Sequence, residues 1–178
     1  AAYKGVDVLP SSYEVTVEDV QGALMKQGIS EDSIKPGDAI LFRYGWSRYW
    51  KDHDTYNTNP PGIGMAAARW VVDKKASMIG SDQWATEVIP NPDARLAFPI
   101  HQELITKNGI WNLESMNLES LSQDEAYEFL FIHTPIISGT YQGIQFCLGD
   151  TLFFCDGLHQ GRIKPFSGLN NGFLTNNF

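Results

Sequence analysis

Met65-Ala66-Ala67-Ala68-Arg69-Trp70-Val71-Val72-Asp73-Lys74-Lys75 is followed, after Ala76, by Ser77-Met78-Ile79-Gly80-Ser81-Asp82. The first stretch is made of helix formers and puts Ala67, Trp70 and Val71 on one face. Pro61-Gly62-Ile63-Gly64 ahead of it is a helix start. The second stretch is a short apolar strand that ends in polar residues. A helix followed by such a strand is the rhythm of an α/β layer, where ligand sites gather at the carboxyl ends of strands. The expected fold class is therefore α/β.

Upstream, Ala39-Ile40-Leu41-Phe42-Arg43-Tyr44 is rich in β-formers and bounded by Gly37 and Gly45, so residues 39–44 are predicted as a strand. Before it, Thr16 is a good helix N-cap with Glu18 and Asp19 in the first turn. Val17, Val20, Leu24 and Met25 form a stripe, and Gly28 closes the helix. Residues 46–61 read as a polar and aromatic loop. Downstream, Pro99 opens a helix to about Lys107, Asn108-Gly109 ends it, and residues 110–113 and 129–136 follow as strands. No internal repeat divides the chain. From Phe146 the pattern loses both periodicities, which sets a domain at 1–145 and a divergent tail at 146–178.

Composition narrows the function. The 178 residues carry 13 basic and 21 acidic side chains, a net charge of −8, and show no Lys/Arg cluster, which argues against a nucleic-acid partner. The longest nearly apolar stretch, residues 127–137, is interrupted by Glu128, His133 and Pro135 and is too short to span a membrane. Two cysteines, Cys147 and Cys155, make no disulfide framework. With no signal peptide visible, a reducing cytoplasmic setting is the default expectation. Only 19% of the residues are charged, below the roughly 25% usual for soluble domains. A chain so lean in charge is expected to cover part of its surface with something else.

Of the four histidines, His53 sits in a charged loop, His133 in a strand candidate and His159 in the tail, and none is spaced as a metal ligand. Gly62-Ile63-Gly64 lacks the remainder of a phosphate loop and is better explained as helix-cap chemistry. His101 and Glu114 stand out. The first lies early in one helix and the second follows the strand that returns from Gly109. That hairpin-like path can bring imidazole and carboxylate together for general-base chemistry or as part of a ligand set. Trp84, just past the end of a strand, could wall a planar substrate, and Trp46 adds a second candidate surface for binding it.

Several motifs resemble, in order and spacing, the cyclase family of metal-dependent hydrolases that includes kynurenine formamidase and isatin hydrolase. They are Gly37-Asp38-Ala39-Ile40-Leu41-Phe42-Arg43-Tyr44-Gly45-Trp46, Gly80-Ser81-Asp82-Gln83-Trp84, Phe98-Pro99-Ile100-His101-Gln102-Glu103-Leu104 and Leu113-Glu114-Ser115-Met116-Asn117-Leu118. The resemblance spans about residues 3–140 and covers the rear two-thirds of the family pattern. It implies a swivelling β/β/α fold, a homo-oligomer, and a zinc or manganese ion that activates water against an amide or formamide bond of a small molecule, as in tryptophan catabolism. On it, His101 and Glu114 fall on active-site positions, with Glu114 a possible metal ligand.

Two departures qualify that expectation. The family's His-x-Gly-Thr-His-x-Asp metal motif belongs ahead of Ala1, so the fold is expected to be incomplete at the N-terminus. No metal site is expected in this chain alone, which is accordingly expected to be inactive. Gly139-Thr140-Tyr141-Gln142 also breaks the family's closing pattern. The alternative expectation is a truncated, non-catalytic binding or assembly module.

Overall fold

The computed structural model describes residues 1–133 and, as backbone, 153–154. Its first long helix begins where Thr16 predicts. Thr16 Oγ1 accepts the Asp19 N–H at 3.2 Å and Asp19 Oδ2 accepts the Thr16 N–H at 3.2 Å, a reciprocal capping box. Tyr13 Oη and Lys4 Nζ also bind the Asp19 carboxyl. This helix, α1 (Val17–Gln27), buries Val20 and half-buries Val17 and Leu24, and it ends at Gly28 with φ 71°. Met25 departs from the predicted stripe and is 79% exposed, because one residue beyond Leu24 turns it about 100° away from the core.

Short strand β1 (Glu14–Val15) precedes α1, and β2 (Ala39–Phe42) follows it. The predicted strand ends two residues early: the Tyr44 and Gly45 N–H groups turn away to the carboxyl of Asp82. Residues 46–61 hold more structure than a loop. They contain a 3-10 turn (Trp46–Tyr49) and α2 (His53–Tyr56), which Asp52 caps through Thr55. Next come β3 (Gly62–Ile63), α3 (Met65–Asp73) and β4 (Met78–Ser81). Helix α3 buries Ala67, Ala68, Trp70 and Val71.

The glycines before α3 differ from a pure cap reading. Gly64 is the N-cap, but Gly62 is a strand residue paired with Glu14, and a Cβ on it would strike the Glu87 backbone. Here the missing side chain serves close backbone approach.

Helix α4 (Pro99–His101) runs on as a π-helical segment (Gln102–Lys107), and Gly109 with φ 65° turns the chain into β5 (Trp111–Leu113). The expected return hairpin is tied by the Ile110 N–H to the Leu104 carbonyl at 2.9 Å. Strands β2, β4 and β5 form a parallel sheet in the order β2-β4-β5, with Leu41 opposite Gly80 and Gly80 opposite Leu113. Ile63, Val71, Ile79, Ile100 and Leu104, all at most 1% exposed, fill the space between the layers. Each such burial stabilises by about 1.5–3 kcal/mol. This is the α/β class, with parallel strands, that the sequence predicts.

Helix α5 (Glu119–Gln123) follows, and β6 (Leu130–Phe131) pairs antiparallel with β7 (Phe153–Phe154). Residues 134–136 of the predicted strand lie outside the described residues. So do the 145/146 boundary and almost all of the tail, including Cys147, Cys155 and His159. Among the described residues no helix is long and apolar enough to cross a membrane.

Candidate functional site

The carboxyl ends of the adjacent parallel strands β4 and β5 set the site. After Ser81 the chain enters a buried loop in which Asp82, Gln83, Thr86 and Glu87 are at most 1% exposed. Asp82 accepts the N–H groups of Tyr44 at 2.8 Å and Gly45 at 2.7 Å, tying this loop to the end of β2. Burial pushes the Asp82 carboxyl up to about 6, against the pull of those two N–H groups. Glu87 is bridged to Ile63, whose N–H reaches the Thr86 carbonyl at 3.1 Å and whose carbonyl takes the Val88 N–H at 3.2 Å.

The Glu87 carboxyl lies against the start of α4. Its oxygens accept the Ile100 N–H at 3.4 Å and the His101 N–H at 3.1 Å, and Oε1 lies 2.5 Å from His101 Nδ1. The other ring nitrogen, Nε2, is 3.0 Å from Glu114 Oε1 just beyond β5. Asn112 Nδ2 donates to the same Glu114 oxygen at 2.9 Å, while Asn112 Oδ1 accepts from Thr86 Oγ1 at 2.8 Å. Ser81 Oγ lies 3.0 Å from Thr86 Oγ1, so a continuous chain of hydrogen bonds runs from Ser81 to Glu87 through the imidazole. Burial alone would push the His101 pKa down. The hydrogen bonds to Glu114 and Glu87 outweigh it, and the ring is pushed up to about 9. At neutral pH it is an imidazolium held between two carboxyl groups.

Aromatic rings border this cluster. The Phe98 ring meets His101 edge-on at 5.4 Å between centroids, and Trp84 meets Phe98 at 6.2 Å. Trp84 Nε1 is buried without a hydrogen-bond partner among the described residues. The structure thus gathers His101, Glu114 and, one ring away, Trp84. Trp46 stands apart: it is 3% exposed, donates its indole N–H to the Tyr56 carbonyl at 2.9 Å and packs on Tyr49, which commits it to the core. His53 is the exposed first residue of α2, and the His133 ring stacks on Phe131.

Sequence reasoning missed Glu87, Asn112 and Thr86. An acid inside Ala85-Thr86-Glu87-Val88-Ile89 was the one available signal, since a lone carboxyl in an apolar run needs a buried partner. Among the described residues no group of three or more His, Cys, Asp or Glu side chains can hold a metal ion. The described residues therefore do not fit a resident zinc or manganese ion.

The model of the cyclase family matches residues 5–88, a span that includes Glu87 and stops short of His101 and Glu114. Among solved structures, a novel cyclase is similar at 29% identity and a TM-score of 0.65, over 76% of this chain and 45% of that one. Isatin hydrolase A from Ralstonia solanacearum is similar at 24% identity and a TM-score of 0.53, over 62% and 43%. An isatin hydrolase bound to the product analogue thioisatinate is similar at 22% identity and a TM-score of 0.52, over 61% and 42%. The chain spans less than half the length of each of these structures. No curated protein sequence matches it. The α/β fold is that of the cyclase and isatin hydrolase structures.

Proposed function

We propose that His101 and Glu114 are the proton-transfer pair of a hydrolase acting on a C–N amide bond in a small aromatic substrate. The observation that carries this reading is the 3.0 Å contact between His101 Nε2 and Glu114 Oε1 at the carboxyl end of a parallel sheet, beside Phe98 and Trp84. Glu114 takes a proton from water as the water oxygen adds to the carbonyl carbon. The adduct collapses with cleavage of the C–N bond, and the imidazolium delivers its Nε2 proton to the departing nitrogen. The proton held by Glu114 then returns to the ring. Phe98 and Trp84 offer aromatic edges to a planar substrate.

Similarity to isatin hydrolases favours a cyclic aryl amide, and the resemblance to kynurenine formamidase favours an aryl formamide of tryptophan catabolism. On the same resemblance the protein acts as a cytoplasmic homo-oligomer with a zinc or manganese ion. Because the described residues do not fit that ion, no step here is routed through it.

Turnover of isatin and of an aryl formamide by the protein tests the reading. His101→Gln and Glu114→Gln are each expected to lower kcat by about 10²-fold or more with little change in KM. Variants with undiminished kcat would overturn the assignment. A second reading, a non-catalytic binding module, is favoured by one observation: both ring nitrogens of His101 already face carboxyl groups. On that reading the protein binds a planar amide, seen as quenching of tryptophan fluorescence, and releases it unchanged.

A further inference from the structure

We infer that Glu87 is the positioning residue of the His101–Glu114 pair, its buried carboxyl holding the ring at Nδ1 and the first turn of α4 at once, so that Nε2 faces Glu114. The inference rests on the reading that this pair moves protons. Three donors converge on the one carboxyl: the N–H groups of Ile100 and His101, and Nδ1 of the ring at 2.5 Å. A helix cap needs only the first two. The ring contact is additional, and it removes the flip that would exchange Nδ1 with a carbon. At a site that is 0% exposed on the Glu87 side, no water replaces the bond such a flip would break.

The anchor is itself fixed. The Glu87 backbone lies between hydrogen bonds to both sides of Ile63, its carbonyl takes the Gln83 Nε2 donor at 3.2 Å, and Gly62 lets the strands approach. On the opposite side Asn112 holds Glu114 at 2.9 Å, so the ring meets fixed acceptors at both nitrogens. Glu87 does not touch substrate on this view. It acts through His101, as an orienting acid acts through a catalytic histidine.

The test is an NMR measurement of the His101 ring in 15N-labelled protein, with His101→Gln identifying the signals. Near pH 7 the expected result is an Nδ1 proton far downfield and slow to exchange. Glu87→Gln puts an amide NH2 in place of one accepting oxygen, either Oε1, which takes the His101 N–H and faces Nδ1, or Oε2, which takes the Ile100 N–H, and so breaks the three-donor arrangement. It is expected to abolish the slow Nδ1 proton and to lower kcat by about 10²-fold at unchanged KM, with Glu87→Asp restoring part of both. Unaltered His101 signals in a folded Glu87→Gln protein would overturn the inference. So would a wild-type Nδ1 proton that is absent or exchanges as fast as that of exposed His53, and this spectrum decides even where Glu87→Gln does not fold. Absence of turnover in the wild-type protein counts against the hydrolase reading alone, because the NMR result needs no substrate.

Discussion

Replacing His101 with Gln changes how stability depends on pH, and the structure sets the size of the change. The imidazole rises from its ordinary 6.5 to about 9 in the folded chain, because its hydrogen bonds to Glu114 and Glu87 outweigh the burial that opposes its charge. A base whose folded pKa is raised adds stability that is fully present below the unfolded value and is lost as pH rises through the folded one. The full term is about 3 kcal/mol near pH 6, about 2 kcal/mol near pH 7.5 and under about 1 kcal/mol near pH 9. Urea denaturation followed by tryptophan fluorescence near these three pH values gives the gap between wild type and His101→Gln directly. The gap is the diagnostic quantity, because titrations common to both proteins cancel in the difference. A gap that narrows by about 2–3 kcal/mol between pH 6 and 9 is expected; parallel curves would refute the picture of a cation held between two carboxyl groups.

Three further outcomes follow from local geometry. Gly62→Ala places a methyl on the backbone of Glu87 and Val88, where no side chain can swing aside, and is expected to cost about 2 kcal/mol or more in urea denaturation. Thr16→Ala removes the acceptor of the α1 capping box and should cost about 1 kcal/mol, read as a lowered Tm by circular dichroism. Asp82→Ala leaves the buried N–H groups of Tyr44 and Gly45 without an acceptor, at about 1–3 kcal/mol each. Because burial raises the Asp82 carboxyl to about 6, its own titration adds stability below about pH 4 that is lost as pH rises through 6. The penalty of that substitution should therefore be larger near pH 4 than near pH 7, by denaturation at the two values.

Much of the scaffold was legible because its signals are local. Thr16 with Asp19, the β-rich run from Ala39, and Asn108-Gly109 each encode an element through neighbours within four residues. The proximity of His101 and Glu114 was legible for the same reason, since a helix and the strand that returns from it are joined by one tight turn. Glu87 was not legible: its partners are the backbone and ring of residues 13 and 14 positions on, brought near by a sheet that no local pattern describes. Trp46 misled because an aromatic beside a strand end looks alike whether it faces a cleft or the core. The indole bond to the Tyr56 carbonyl, made by a short helix inside an apparent loop, decides between them. Tertiary packing also shortened β2, since an acid from the next strand's loop captured the N–H groups of Tyr44 and Gly45.

The backbone around the cluster supplies an independent reason to regard it as functional. Thr86, Phe98 and Ser115 have φ of 57°, 51° and 57°, in the left-handed region that disfavours side chains such as theirs. Thr86 precedes Glu87, Phe98 precedes the helix that carries His101, and Ser115 follows Glu114. Each such residue costs about 1–2 kcal/mol and persists only where its surroundings hold it. Thr86 is held by Asn112 and by the Tyr44 hydroxyl on its carbonyl, and Ser115 by the Tyr56 hydroxyl and the Gln83 carbonyl. Phe98 lies between the rings of Trp84 and His101. Among the described residues four more that carry side chains, Ser12, Asn59, Lys75 and Glu125, have such a φ. Stability alone would favour glycine at all three flanking positions. Strain at the flank of each member of one hydrogen-bonded trio is instead what delivering three side chains to a common point requires. The same bends that cost the fold stability bring Glu87, His101 and Glu114 within reach of one another.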